Sequence, residues 1–187
     1  MPITEQILET AGPMILTSSG HGNFYKILMK QKKSPLSFKL IAQPKDYFTI
    51  LPLDWIEILK FHGLLYKPYA QIYGLYEAQE LIAGGIVFQE LLPGSTAFEV
   101  SHSQELFKEV GAYIGFVWVL PERRGEKLGS LWLKSLFKKF PKSSFWLSIE
   151  EKPLANFYHK LGFIVYKTHT EKGQFLEQIL VYQPENK

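Results

Sequence analysis

The stretch from Gly111 to Leu120 constrains the fold more than any other part of the chain, because both of its alternating faces are apolar. One face carries tyrosine and valine side chains, and the other carries isoleucine, phenylalanine, tryptophan and leucine. A strand with this pattern is covered on both sides, so the pattern predicts a strand in the middle of a sheet. Pro121 ends the strand, and apolar residues then recur at helical spacing: Leu128, Leu131, Trp132, Leu136 and Phe140.

The other segments predict a mixed α/β chain, in which strands come first and then alternate with helices. The expected elements are a strand at Ser37–Ala42, a helix at Pro52–Phe61, a hairpin of Ala70–Tyr76 and Leu81–Leu92, a strand at Ser144–Ile149, a helix at Pro153–Leu161 and a last hairpin of Phe163–Lys167 and Phe175–Gln183. We interpret Pro93–Val110 as a long polar connection with a helical turn around Glu105–Phe107.

The length of 187 residues fits one domain with an extension, which we divide into an extension at 1–36 and a domain at 37–187. The chain has no cysteine, which excludes disulfides, thiolate metal sites and a cysteine nucleophile. The histidines show no metal-ligand spacing, so we expect no metal. They are His21, His62, His102, His159 and His169.

The formal net charge of +3 comes with only a short basic cluster at Lys26, Lys30, Lys32 and Lys33, which argues against a nucleic-acid partner and fits an anionic small ligand. Met1–Thr10 holds two glutamates and no basic start, so it does not have the features of a signal peptide. Apolar stretches such as Leu81–Phe88 are far shorter than the roughly 18–20 residues of a spanning helix. We therefore expect a cytoplasmic protein without a membrane partner, and its oligomeric state stays open.

The turn after the central strand, Arg124–Ser130, has the features of an anion site. The first turn of a helix leaves backbone N–H groups unpaired, and its dipole favours negative charge. Gly125 and Gly129 let the backbone approach a ligand closely, and Arg124 adds a charged donor. The alternative is an ordinary strand–turn–helix connection. A P-loop is excluded, because the Gly-Lys-Ser/Thr ending is missing.

An earlier glycine pair, Gly20-His-Gly22, lies between an apolar stretch and an apolar-periodic segment. Tyr25 stands where a dinucleotide fingerprint has its third glycine, and no convincing βαβ unit with a matching acidic residue follows. We interpret this pair as a turn.

The segment Arg124-Gly-Glu-Lys-Leu-Gly129 resembles the acetyl-CoA motif of the GNAT superfamily of N-acetyltransferases, Gln/Arg-x-x-Gly-x-Gly/Ala. Lys127 stands at the inner glycine of that pattern. As in the family, the motif follows a strand and opens a helix.

A second segment, Glu151 to Phe163, is similar to the family's Asn-x-x-Ala-x-x-x-Tyr-x-x-x-Gly-Phe. Tyr158, Gly162 and Phe163 match in place, whereas Glu151 and Leu154 stand at the asparagine and alanine positions. The resemblance covers the chain from about residue 38 to about residue 182.

The resemblance implies an α/β (α+β) fold of the GNAT type, with a mixed, mostly antiparallel sheet of six or seven strands flanked by helices. Acetyl-CoA would be the co-substrate, with no metal, in a V-shaped gap between the strands Gly111–Leu120 and Ser144–Ile149. Backbone groups of Val117 and Val119 would pair with the pantetheine arm. The pyrophosphate would bind the N–H groups of Arg124, Gly125, Glu126, Lys127, Leu128, Gly129 and Ser130.

Tyr158 would point at the thioester sulfur and protonate the departing thiolate. The alternative is core packing, because Tyr158 shares an apolar helix face with Phe157 and Leu161. The general base is not identified, and each candidate also fits a surface or capping role: Glu90, Glu99, His102 and Glu150. Glu150 and Glu151 are expected to serve the dipole of the following helix.

Lys127 has two interpretations. Either the loop no longer approaches the pyrophosphate closely, or it keeps ordinary helical or β dihedral angles and the side chain reaches towards a CoA phosphate. We favour the second, because Arg124, Gly125 and Gly129 are retained around it.

The implied activity is acetyl transfer from acetyl-CoA to a primary amine, carried by a small molecule or a peptide. A non-catalytic domain of the same fold that binds CoA or a protein partner is the alternative. A longer-chain acyltransferase is a third hypothesis.

Overall fold

The computed structural model describes residues 34–61, 68–92 and 95–184. The early glycine pair and most of the predicted extension lie outside this part of the chain, so the domain boundary stays a prediction. The strands are β1 Leu36–Leu40, β2 Ala70–Glu77, β3 Glu80–Phe88, β4 Gly111–Val119, β5 Ser144–Ile149, β6 Ile164–Glu171 and β7 Gln174–Tyr182. The helices are α1 Pro44–Phe48, α2 Leu53–Phe61, α3 Ala97–Glu109, α4 Leu128–Lys139 and α5 Leu154–His159.

The strands form one seven-stranded sheet in the order β1-β2-β3-β4-β5-β7-β6. The predicted central strand is confirmed, because β4 is fourth of the seven. All neighbouring pairs are antiparallel except β4 and β5, which are parallel. The predicted fold, a mixed and mostly antiparallel sheet flanked by helices, is confirmed.

The parallel pair is short. Its register runs from Gly111 opposite Ser144 to Tyr113 opposite Trp146 and includes three residue pairs. Beyond Tyr113, β4 continues to Val119 with no further pairs to β5 in the described register. The gap predicted between these two strands lies here.

Helices cover both faces of the sheet. Neighbouring residues of a strand point to opposite faces, so Trp146 and Leu147 of β5 show what covers each face. Leu147 of β5 packs in one core with α4 and α5, which contribute Trp132 and Ala155. On the other face, Trp146 packs with Leu106 of α3. In the part of the chain that the structure describes, no helix has the length and apolar character needed to cross a membrane.

The prediction of a polar connection with a single helical turn before β4 was wrong, because α3 is a helix of 13 residues. Thr96 and Glu99 form a capping box at its start, and Leu106 is fully buried. The capping pattern was present in the sequence. Polar residues dominate the helix and weaken its apolar period, which hid it. The short helix α1 was also missed, although Pro44 at its first turn is a start signal.

The two predicted hairpins are confirmed. In the last one, Lys172 and Gly173 have φ of 49° and 81°, the left-handed pair typical of a two-residue hairpin turn. Several bounds differ from the prediction: β1 covers Leu36–Leu40, β3 ends at Phe88, β6 extends to Glu171, and α5 covers only Leu154–His159.

Candidate functional site

A cleft of about 760 Å³ opens beside the free part of β4. It is lined by Trp55, Val117, Trp118, Val119, Arg123, Arg124, Gly125, Lys127, Leu128, Gly129, Ser130, Glu151, Leu154, Phe157 and Tyr158. The fold therefore brings together Tyr158 and every residue predicted to bind the cofactor except Glu126. Trp55 and Trp118 were not predicted for the cleft, since the sequence gives them only as apolar residues of a helix and a strand.

The turn that leads from β4 into α4 is braced by Arg123. Its Nε lies 2.7 Å from Oε1 of Glu126, and its Nη1 lies 2.9 Å from Oε2 of Glu77 on β2. The Arg123 side chain is only 19% exposed, so this bridge is partly shielded from water. The Glu126 carboxylate is thus engaged with Arg123, which accounts for the absence of Glu126 from the cleft lining.

The start of α4 lines the cleft with backbone N–H groups that the helix itself leaves unpaired. Lys127 accepts the first helical hydrogen bond, from the N–H of Leu131 at 3.0 Å. The N–H groups of Leu128, Gly129 and Ser130 precede that bond and have no acceptor within the helix. No acidic side chain occupies this first turn. These donors together with the helix dipole favour an anion such as a phosphate.

Lys127 corrects one of our expectations. It has φ of 63° and ψ of 20°, a left-handed conformation, and not the ordinary helical or β dihedrals that we favoured. Glycine adopts this conformation without steric cost, whereas other L-residues pay about 1 kcal/mol or more. The loop therefore keeps the backbone shape that a glycine at the family position permits, although the side chain is lysine.

We expect Lys127→Gly to raise the free energy of unfolding by about 0.5–1 kcal/mol, because glycine removes the left-handed strain. Urea denaturation measures this change. Lys127→Ala is the matched control, since alanine loses the charge and keeps the strain. A glycine variant no more stable than the alanine variant would contradict the expectation.

Arg124 lines the cleft, with its guanidinium carbon 4.5 Å from the centre of the Trp118 ring. The Trp118 ring in turn packs edge-on against Trp55 of α2, at 5.3 Å between ring centres. In the described part of the chain, the buried Nε1 of Trp118 has no hydrogen-bond partner. One wall of the cleft is thus aromatic and carries a cation.

Tyr158 lies on α5 and is half-buried, with its ring against Phe157 and Phe163 at 4.9 and 5.4 Å between centres. Burial raises the pKa of the Tyr158 hydroxyl to about 12. The phenol is therefore protonated at neutral pH and can donate a proton or a hydrogen bond.

The backbone of β4 is open towards the cleft. Leu120 donates its N–H to the carbonyl of Ile82 on β3, at 3.1 Å. Alternate residues of an antiparallel strand direct their backbone groups to opposite sides, so Val119 directs its own towards the gap. Val117 lies two residues earlier and also lines the cleft.

None of the four candidate bases lines the cleft. Glu90 and Glu150 are exposed, and Nδ1 of His102 contacts the Phe98 carbonyl within α3. Glu150 and Glu151 do not serve the dipole of α5 as expected, because the helix begins later, at Leu154, with no acidic residue in its first turn.

Glu99 is buried and belongs to a polar network on the α3 side of the sheet. Its carboxylate accepts hydrogen bonds from the Tyr113 hydroxyl at 2.8 Å and the Thr96 N–H at 3.0 Å. A second buried carboxylate, Glu177, accepts from Thr96 and from Ser148, the latter at 2.6 Å. Burial raises the pKa of Glu99, and the hydrogen bonds and nearby carboxylates change it less.

This raised pKa predicts a pH effect on stability. Because folded Glu99 holds its proton more tightly than the unfolded chain does, its contribution is most favourable at low pH and is lost as pH rises through the folded pKa. Glu99→Gln should therefore gain stability relative to the wild type between about pH 4 and about pH 8. Thermal denaturation at both ends measures this, with Glu109→Gln on the exposed end of α3 as the control. A stability difference between Glu99→Gln and the wild type that does not change with pH would contradict the raised pKa of Glu99.

Comparison with known proteins identifies the family of the chain. The model of the acetyltransferase (GNAT) family matches residues 37–163, which is more than half of the chain. No curated protein matches the sequence.

Solved structures share the fold at low sequence identity. The ribosomal-protein-S18-alanine N-acetyltransferase from Escherichia coli has a TM-score of 0.57 and 14% identity, covering 82% of this chain and 96% of that one. FeeM, an N-acyl amino acid synthase from uncultured soil microbes, has a TM-score of 0.56 and 12% identity over 80% and 91%. A GNAT family acetyltransferase from Elizabethkingia anophelis with acetyl-CoA bound has a TM-score of 0.51 and 13% identity, covering 79% of this chain and 97% of that one.

The family match, the seven-stranded sheet and the cleft beside β4 agree, and the chain belongs to the acetyltransferase (GNAT) family.

Proposed function

We propose that this acyltransferase moves an acetyl group from acetyl-CoA to a primary amine of a small molecule or a peptide. The observation that carries the proposal is the cleft, which combines an open strand edge, an anion-binding turn and a protonated phenol. These three features suit the three parts of acetyl-CoA that lie along its length: the pantetheine amides, the pyrophosphate and the thioester.

The residues present fit acetyl-CoA. The first-turn donors of α4 and the Arg124 guanidinium would hold the pyrophosphate. At Gly125, φ is +84°, and among the described residues no atom beyond the two chain neighbours lies within 4 Å of the position that a side chain would take, so the turn has room for a ligand. The backbone of Val119 would pair with pantetheine as a neighbouring strand does.

Acetyl-CoA supplies an activated acyl group. The amine nitrogen would bond to the carbonyl carbon and lose one proton to solvent, the bond to sulfur would break, and the thiolate would accept a proton from a donor that solvent then reprotonates. Tyr158 would give that proton, because its phenol is neutral and lines the same cleft. A backbone N–H of β4 would stabilise the negative charge that develops on the carbonyl oxygen.

We expect CoA and acetyl-CoA to raise the melting temperature, because a ligand that binds only the folded state stabilises it by mass action. A thermal shift assay with millimolar CoA measures this, with adenosine as a control that lacks the pyrophosphate and pantetheine.

An acceptor screen that follows release of free thiol from acetyl-CoA then tests the transfer itself. Binding of CoA without thiol release from any amine would favour the non-catalytic alternative. No shift and no calorimetric signal would overturn the cofactor assignment. Faster release from longer acyl-CoA thioesters would move the assignment to a longer-chain acyltransferase.

A further inference from the structure

The strand β4 is interrupted by a bulge at the cleft. Trp118 pairs with Gly84 of β3, and Gly115 pairs with Ile86, so Phe116 and Val117 together oppose the single residue Gly85. Phe116 has φ of 52°, in the left-handed region that favours glycine. A bulge of this kind leaves one residue out of the ladder. It therefore frees backbone groups at the point where Val117 lines the cleft.

One side chain from a distant part of the sequence holds this bulge. The hydroxyl of Tyr47 on α1 donates a hydrogen bond to the Phe116 carbonyl, with 2.6 Å between the oxygens. Tyr47 is fully buried, at 0% exposure. Burial raises the pKa of its hydroxyl well above the usual value, so the group remains a donor at all physiological pH.

The backbone opposite the bulge is shaped for this contact. A side chain at Gly84 would clash with the Tyr47 ring, so glycine is required for the ring to lie against β3. Gly84 therefore makes room for the Tyr47 ring, and the Tyr47 hydroxyl in turn contacts the bulge at Phe116. Without the Tyr47 hydroxyl, the Phe116 carbonyl would lose a buried donor while its residue keeps an unfavourable φ.

We propose that Tyr47 is a positioning residue, whose hydroxyl fixes the Phe116 carbonyl and thereby aims the backbone of Val117 into the cofactor cleft. This inference rests on the proposed function, since it assigns a purpose to the aimed backbone. Tyr47 acts through Phe116 and does not line the cleft itself.

The test compares Tyr47→Phe with Tyr73→Phe. Tyr73 is also buried, and its hydroxyl bonds to Gln71 at 2.8 Å, away from the cleft. Calorimetry measures the Kd for CoA, and amide hydrogen exchange measures protection of Val117. We expect Tyr47→Phe to raise the Kd about tenfold, the scale of one hydrogen bond, and to speed exchange at Val117. Tyr73→Phe should leave both within about twofold.

A rescue variant separates positioning from general loss of stability. Glycine adopts a positive φ without strain, so Phe116→Gly should make the bulge independent of Tyr47. The Tyr47→Phe/Phe116→Gly double variant should then bind CoA within about threefold of Phe116→Gly alone. If Tyr47→Phe fails to fold, recovery of a folded, CoA-binding protein in the double variant supports the inference, and a double variant that also fails to fold overturns it.

Wild-type Kd and exchange in Tyr47→Phe would overturn the inference, as would a tenfold difference between the two glycine variants. If the wild type binds no CoA, the proposed function fails separately. In that case faster exchange at Val117 in Tyr47→Phe still supports the hold on the bulge, and unchanged exchange overturns it.

Discussion

Tyr158→Phe should lower kcat roughly 100-fold while the Kd for acetyl-CoA stays within about twofold, because a general acid acts in the transition state. The ring packing against Phe157 and Phe163 is retained in the variant, so the loss isolates the hydroxyl. Steady-state kinetics with any amine that the screen identifies, together with calorimetry, measures the two quantities. Tyr182→Phe is the control, since Tyr182 packs nearby against Phe163 but does not line the cleft.

The dependence of kcat on pH is a second test of Tyr158 as the general acid. A general acid works only while protonated, and burial raises the pKa of Tyr158 to about 12. Its protonated fraction therefore stays near one up to about pH 10 and falls only above that. A kcat that loses activity between about pH 8 and about pH 9 in the wild type but not in Tyr158→Phe would contradict this assignment, as would normal turnover of the variant.

Trp132→Ala should lower the free energy of unfolding by about 3–5 kcal/mol, the usual cost of removing a large buried aromatic side chain. Trp132 is fully buried on α4, and its Nε1 donates to the Tyr73 carbonyl at 2.8 Å. A side chain at Gly85 would lie only 2.7 Å from its ring, so the indole lies directly on the β3 backbone. The substitution leaves both a cavity and a buried carbonyl without its donor.

This anchor also supports the turn Arg124–Ser130, the proposed anion site, because α4 begins at Leu128, one turn before Trp132. We therefore expect Trp132→Ala to weaken CoA binding as well. Urea denaturation measures the stability, with Lys134→Ala on the exposed side of the same helix as a control that should stay within about 0.5 kcal/mol. A loss below about 1 kcal/mol would show that the helix is held elsewhere.

The central part of the fold could be predicted because its signals are local and strong. The apolar faces of β4, the helical spacing after Leu128 and the glycine of the last turn each identify one element without help from distant residues. The helix α3 was missed because its apolar period is weak and the partners that bury its apolar residues are remote. Thr96 bonds to Glu177, 81 residues away, and Leu106 is buried beside Trp146.

The candidate site divides in the same way. The turn Arg124–Ser130 and Tyr158 carry motif spacing, so the sequence indicates them. Trp55 enters the cleft only because α2 packs on β4, and no local pattern reports that contact. The left-handed backbone of Lys127 could not be predicted, because lysine rarely adopts this conformation and the surrounding turn imposes it.

The early end of the β4–β5 ladder also affects how the protein without ligand aggregates and is proteolysed. A sheet that parts in its middle has an interior edge, and such an edge accepts any extended chain that fits. Until a ligand fills it, the protein is one strand short, and a neighbouring molecule could supply the missing strand. We therefore expect storage with CoA to slow aggregation and proteolytic clipping of this protein, an outcome of practical use in purification and crystallisation.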